Sequence, residues 1–542
     1  MPVFSAALGR LLGLPPPTHQ VQREPAVRLP APGGVELVTD LYLARPLRPG
    51  PAVLIRSPYG RSRLVWGAFA EFFAGRGYHA VIQSCRGTFG SGGRLDFHAE
   101  GADGRAAADW IVSQRWSNGE IGTFGPSYLS FVQWALAATR PPQLKAMAIQ
   151  IMSADRSRSY YPGGAFALDN ALTWSYLMAH QEGGRLEGLR AQARSQQALQ
   201  PAFRHLPLLT ADEVAVGRPV PYYRDWLTHQ PGDEFWSHLD FTPLLHEHSV
   251  PTSFVGGWYD YFLPYELEEY GRLAAAGRPV QLVVGPWNHA RPQGLVAGLR
   301  EALAWFDVHL TPTRAPRARP PRRGGGRIRV AMMGGRRAEW RELDAWPPSA
   351  AQVAWHLQPG GGLAPEAPPA SEPDRFRYDP ADPTPAVGGT SLSANSGPRD
   401  NRRLESRPDV LAYTSAVLET DLEVIGPIAA EIYLESSTPH FDVFARLCDV
   451  DPRGRSVNVC DGILRCGPDA SSPVRVELWP TAYRFVSGHR LRLQVSGGSH
   501  PRFARNPGSG EPLATGTTLV ASDRTVYHDP DRPSRLLLPT SL

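Results

Sequence analysis

A serine hydroxyl attacks a carbonyl carbon only when a base takes its proton and an acid orients that base. Three residues of this chain could share that work. Ser127 stands in Gly122-Thr123-Phe124-Gly125-Pro126-Ser127-Tyr128-Leu129-Ser130, an apolar run that breaks into a sharp turn and continues as the helical run Phe131–Ala137. Small residues on both sides of such a serine let the turn tighten and expose the hydroxyl. Gly125 supplies one of them, while Ser130 takes the place where glycine is usual. Asp260 closes Gly256-Gly257-Trp258-Tyr259-Asp260, and His289 closes Gly285-Pro286-Trp287-Asn288-His289. The order is serine, acid, histidine, each just past an apolar strand run, where parallel sheets place their sites. Taken singly, such an Asp is more often a cap or turn former, and such a His a packing residue. The ordered set points to acyl transfer. Tyr59, in Ser57-Pro58-Tyr59-Gly60 beyond an earlier strand run, is either a core aromatic or a donor that joins the Tyr128 backbone N–H around a tetrahedral oxyanion.

The elements that must position these residues follow from the hydrophobic pattern. Val53–Arg56, His79–Gln83, Ile121–Phe124 and Ala146–Ile151 are short buried runs, with amphipathic stretches at Ala68–Arg76, Gly104–Ser113 and Tyr128–Thr139 between them. That alternation implies βαβ units and a mostly parallel sheet. From Ser153 to about Asp240 the chain becomes aromatic and helical, and strand runs resume at Thr252–Val255, Gln281–Val284 and Ile328–Met333. After Trp346-Pro347-Pro348 the runs are short, extended and divided by turn residues, as in an all-β sandwich or jelly roll. The expected domains are a first core part over 1–152, a helical cap over 153–240, a second core part over 241–347 and a β domain over 348–542.

The chain has 542 residues, 42% of them hydrophobic and 20% charged, with a net charge of only +4. Lys145 is its single lysine, and the arginine-rich run 314–327 reads as a solvated linker, so no nucleic-acid surface is expected. The run 1–13 reads as a short terminal helix rather than a leader, and no stretch is long enough for a membrane span, so a soluble, cytoplasmic protein is expected. Four cysteines with no C-x-x-C pair argue against zinc and a disulfide framework, though a Cys460–Cys466 bridge stays open. The glycine-rich run Gly87–Gly93 lacks the Lys-Ser/Thr of a phosphate loop and reads as a flexible loop near the site. His246-Glu247-His248 lacks zinc-helix spacing, and Asp449–Gly454 puts Arg453 at a calcium-ligand position. Neither a metal nor a cofactor is expected.

Arg56-Ser57-Pro58-Tyr59, Gln83-Ser84-Cys85-Arg86-Gly87, Gly125-Pro126-Ser127-Tyr128-Leu129 and the two runs ending at Asp260 and His289 resemble the signature series of the CocE/NonD hydrolases. This is the X-Pro dipeptidyl-peptidase (S15-like) group, which includes esterases and α-amino-acid ester hydrolases. The runs Asp442–Leu447 and Pro501–Asn506 are similar to its C-terminal motifs. The resemblance implies an α/β-hydrolase core with an inserted helical cap and a C-terminal jelly roll. By position it implies Ser127 as nucleophile, His289 as base, Asp260 as its orienter, and Tyr59 with Tyr128 as the oxyanion hole. The cap run Tyr160–Trp174 resembles the stretch that helps line the acyl pocket of the esterase members. Trp174, Tyr161, Phe166 and Phe262 are therefore expected to line a pocket here, unless they merely pack the cap. The α-amino-acid ester hydrolases carry an acid shortly after the nucleophile, and Tyr128-Leu129-Ser130-Phe131 offers none.

The expected activity is hydrolysis of a small-molecule acyl ester, with an amide as the weaker option, through an acyl-enzyme. An X-Pro dipeptidyl-peptidase is the alternative; it needs an acid for the substrate ammonium, with Asp155, Asp169 and Glu182 as candidates. A catalytically inert, carbohydrate-binding protein is the second alternative. A homodimer stays open.

Overall fold

The computed structural model describes residues 9, 12–61, 66–183, 185–311, 327–335, 337–393 and 395–540. Most of the terminal run 1–13 and nearly all of the arginine-rich linker lie outside the described residues.

The first half of the chain builds one ten-stranded mixed sheet. Its elements are β1 (Gln20–Ala31), β2 (Val35–Arg45), β3 (Gly50–Ser57), α1 (Trp66–Ala74), β4 (His79–Ser84), α2 (Glu100–Val112), β5 (Ser117–Pro126), α3 (Tyr128–Ala138) and β6 (Leu144–Gln150). After a helical excursion come β7 (Thr252–Tyr259), α10 (Leu263–Ala275), β8 (Val280–Asn288), α11 (Pro292–His309), β9 (Ile328–Met332) and β10 (Glu339–Leu343). The strand order is β1-β2-β4-β3-β5-β6-β7-β8-β9-β10. From β4 across to β9 every pairing is parallel, and the two flanks are antiparallel. The central strands β4 and β7 are buried along their whole length, as expected of strands covered by helices on both faces.

The flanking strands differ from the sequence reading. β1 and β10 carry charged, largely exposed residues on both faces and lack the apolar pattern by which a strand is recognised. β1 also kinks at Pro25-Ala26, where the register slips between Glu24 and Val27.

Between β6 and β7 the chain makes α4 (Arg156–Tyr160), α5 (Leu168–His180), α6 (Arg185–Arg204), α7 (Ala211–Val216), α8 (Pro221–Thr228) and α9 (Glu234–Ser237). Eleven strands then form the C-terminal all-β region, from β11 (Ala351–Gln358) to β21 (Arg535–Thr540). β16 (Phe441–Val450) pairs with β17 (Ser456–Cys466) through a turn in which Asp451 Oδ1 accepts from the N–H groups of Arg453 and Arg455, both at 2.9 Å. Those bonds make the Asp449–Gly454 run a β-turn. All four cysteines are buried free thiols. Cys460 and Cys466 sit six residues apart on β17, too far along one extended strand to bridge.

The β region grips the helical segment at a close backbone contact. Gly163 has φ +56°, and a Cβ there would sit 1.8 Å from the Ile463 carbonyl oxygen on β17. Ala165, Phe444, Ile463 and Phe503 close an apolar cluster beside it. Gly163→Ala is predicted to lower the unfolding free energy by about 2 kcal/mol or more, read as a reduced midpoint in urea. Gly188→Ala in α6, where a Cβ meets nothing within 4 Å, should be neutral or stabilising by up to about 1 kcal/mol.

Candidate active site

Ser127 sits at the tip of the turn from β5 to α3 with φ +57° and ψ −129°, a conformation that side-chain-bearing residues seldom adopt. Gly125 precedes it at φ +148°, where a Cβ would lie 2.4 Å from that of Leu129, so only glycine fits. The hydroxyl of Ser130 ties this turn to the neighbouring strand. Its oxygen accepts from Gln150 N at 2.8 Å, and its hydrogen is shared between Gly125 O at 2.5 Å and Gln150 O at 3.1 Å. Gln133 adds a second tie: Nε2 donates to Gly125 O, Leu129 O and Ala148 O, and Oε1 accepts from Thr123 Oγ1. The serine that departs from the usual glycine is thus a buried clamp across β5 and β6.

The two other loops converge on the same point. His289 Nε2 lies 3.0 Å from Ser127 Oγ, and His289 Nδ1 lies 2.8 Å from Asp260 Oδ2. Asp260 is fully buried, and its Oδ1 accepts from Phe262 N at 2.8 Å, which fixes the carboxylate plane. Glu266, on α10, lies behind it. Burial and the charges of Asp260 and Glu269 hold the Glu266 carboxyl well above its ordinary range. Burial likewise pushes Glu269 up to about 8. Asn288, next to His289, donates from Nδ2 to Ser396 Oγ at 2.8 Å, so the β region steadies the histidine loop.

Tyr59 follows β3 and stacks on Trp66 with ring centroids 5.2 Å apart. Its Oη accepts from Trp174 Nε1 at 3.0 Å and also interacts with Ser127, with which it shares a cavity wall. Burial raises its pKa above the ordinary phenol, so it remains a donor at neutral pH. Tyr128 opens α3, where first-turn N–H groups have no carbonyl of a preceding turn to meet. Its phenol points the other way and donates to Glu100 Oε1 at 2.8 Å; Glu100 in turn pairs with buried Arg56 at 2.8 Å.

The cavity beside Ser127 has a volume of about 30 Å3. Trp174 and Phe262 line it, Phe262 also packing 5.7 Å from the His289 ring. Tyr161 and Phe166 do not. Tyr161 donates to Trp226 O at 2.7 Å and packs on Phe166, which is wholly buried against Tyr160 and Tyr223. Both are cap core, and neighbouring Tyr160 faces the cavity in their stead. Arg156, Asn170, Tyr261 and Leu392, which the sequence does not single out, also line it. No motif surrounds them, and only the folded cap and the reach of the β region bring them together.

The three acids considered for an ammonium are engaged elsewhere. Asp155 caps α4 by accepting from Arg158 N at 3.1 Å, Asp169 accepts from Thr173 Oγ1 at 2.9 Å and from Ser391 Oγ, and Glu182 accepts from Phe89 N at 3.1 Å. The glycine-rich loop is held by Ser91, whose hydroxyl donates to Ser84 O at 3.0 Å and accepts from Val38 N at 2.9 Å. It walls a separate cleft of about 740 Å3 against the cap.

A mostly parallel sheet with these loops at the carboxyl ends of its strands, followed by an all-β region, defines an α/β-hydrolase core with a C-terminal β domain. The comparisons with known proteins narrow this. Residues 33–291 match the model of the X-Pro dipeptidyl-peptidase (S15) family, and residues 325–537 that of the X-Pro dipeptidyl-peptidase C-terminal non-catalytic domain. The chain is 32% identical to the cocaine esterase of a Rhodococcus species over 95% of its own length and 97% of the relative's. Its fold is similar to that of an α-amino-acid ester hydrolase, at TM-score 0.79 and 22% identity, covering 96% of this chain and 97% of that one. It is also similar to a CocE/NonD hydrolase from Staphylococcus aureus, at TM-score 0.69 and 18% identity, covering 96% and 94%. The chain belongs to the S15 family in its CocE/NonD form, a family of serine hydrolases.

The Ser130 clamp carries a prediction. Ser130→Ala strands Gln150 N and leaves Gly125 O with one partner fewer, and should cost about 1–3 kcal/mol of unfolding free energy in urea titration. An unchanged midpoint would contradict the clamp.

Proposed function

We propose that this protein hydrolyses carboxylic esters, and amides less readily, through an acyl-enzyme on Ser127. The observation that carries the reading is the hydrogen-bonded chain from Ser127 Oγ through His289 to buried Asp260. His289 Nε2 takes the serine proton as Oγ attacks the carbonyl carbon, and Asp260 stabilises the imidazolium that forms. The oxyanion receives the Tyr59 hydroxyl and the Tyr128 N–H. Collapse expels the alcohol with the proton from His289, and water then repeats the sequence to release the acid. No cofactor is needed. The likeness to a cocaine esterase favours an ester as substrate.

The X-Pro dipeptidyl-peptidase reading has less support, since the cavity wall carries Arg156 where a substrate ammonium would need an acid. An inert carbohydrate-binding protein would have no use for the hydrogen-bonded chain. Among the described residues no helix is long and apolar enough to cross a membrane, and four unpaired thiols fit a reducing, cytoplasmic setting.

Ser127→Ala should abolish both turnover of a p-nitrophenyl acyl ester and labelling by a fluorophosphonate, and retained activity would overturn the assignment. Tyr59→Phe should lower kcat by about 100- to 1000-fold while labelling of Ser127 remains detectable. A loss below about threefold would remove Tyr59 from the oxyanion hole.

A further inference from the structure

Arg156 begins α4 and is 4% exposed in the wall of the cavity that holds Ser127 and Tyr59. A guanidinium has five N–H donors, no acceptor, and a permanent charge. Here those donors meet few acceptors. Nη2 donates to Tyr160 Oη at 2.8 Å, Nη1 to the weak acceptor Met152 Sδ at 3.4 Å, and Nε has no partner. Among the described residues no carboxylate lies within ion-pair distance of it, and its neighbour Asp155 is used in capping its own helix. Arg56, Arg446 and Arg502, buried as deeply, each hold a carboxylate.

Aromatic rings keep Arg156 in place. Its guanidinium carbon lies 4.8 Å from the ring centre of Tyr160, 5.3 Å from Phe131 and 5.7 Å from Phe97. Rings attract a cation through their faces but accept little from its in-plane N–H groups. A buried cation with open donors is costly unless a ligand completes it, and planar bidentate capture of carboxylate is what arginine does best. The Tyr160 hydroxyl, which accepts from Nη2, keeps its own hydrogen for the same ligand.

The position also assigns a side of the substrate. The leaving alcohol takes its proton from His289 and departs on the imidazole's side, and His289 is not part of this cavity wall. The cavity therefore belongs to the acyl portion. Its volume is only about 30 Å3, so the acid is short.

We propose that Arg156, with the Tyr160 hydroxyl, seats a second carboxylate in the acyl pocket, making the preferred substrates monoesters of short dicarboxylic acids. This deepens the hydrolase reading and rests on it. For monomethyl succinate the acyl–oxygen bond breaks, methanol leaves with the His289 proton, and water cleaves the succinyl-enzyme. One water is consumed, and succinate, methanol and a proton are released.

The test compares proton release from monomethyl succinate and from its neutral near-isostere methyl isocaproate, with active sites counted by fluorophosphonate labelling. Wild type should favour the anionic ester in kcat/KM on the order of 10–100-fold. In Arg156→Met that ratio should fall to about 1. Arg156→Lys, which keeps a charge without the planar fork, should retain a reduced preference and covers the event that the Met variant does not fold. Labelled wild type with a ratio below about threefold, or a Met variant that keeps the preference, overturns the proposal. So does a preference found only for acetyl glycolate, whose charge lies on the alcohol side. Wild type that neither labels nor turns over either ester instead sinks the hydrolase reading beneath it.

Discussion

The backbone at Ser127 is the constraint on which the rest depends. A serine at φ +57° costs on the order of 1–3 kcal/mol and persists only where its surroundings over-determine it. Gly125 makes room for Leu129, Ser130 and Gln133 fasten the turn to β6, and the Tyr128 phenol anchors the start of α3 on the Glu100–Arg56 pair. These ties are buried, so water does not compete for them. They lift the hydroxyl clear of strand and helix, at a height where loops from β3, β7 and β8 can reach it.

What the turn presents, the cap and the β region enclose. Trp174 packs parallel to Tyr128 at 6.0 Å and donates to Tyr59, so one indole both walls the cavity and decides which way the phenol can donate. Leu392 and Ser396 arrive from the β region, one into the cavity wall and one behind the histidine loop. A domain whose family model is described as non-catalytic therefore touches the site at two places. In our reading the core supplies the reacting groups, and the cap with its β-region support decides which acyl group fits among them.

Much of this was legible in the chain. Strands covered on both faces must be apolar throughout, so β3 to β8 announce themselves, and the loops that follow them carry Tyr59, Ser127, Asp260 and His289. The exposed edge strands β1 and β10 lack that signature, and β17 carries Asn458, Asp461 and Gly462, residue types common in turns. Gly462 is required there because a Cβ would lie 2.0 Å from the Glu477 carbonyl oxygen. In the cap, aromatic composition could not distinguish Tyr160 from Tyr161, since one helical step turns a side chain by about 100° and sends it to another face. Arg156 carries no signal in the sequence, because arginine is the chain's nearly exclusive basic residue. Ser130 looked like a flaw in the turn because its value lies in bonds to Gln150, twenty residues further on, which no local pattern records.

The central claim is that Ser127 reacts and that the charge it generates falls between Tyr59 and Tyr128. A crystal structure of the protein after reaction with a small fluorophosphonate tests it most directly. The account predicts phosphorus bonded to Ser127 Oγ, with one phosphonyl oxygen within about 3 Å of both Tyr59 Oη and Tyr128 N. A phosphonyl group on another residue, or an oxygen turned away from both donors, would contradict it.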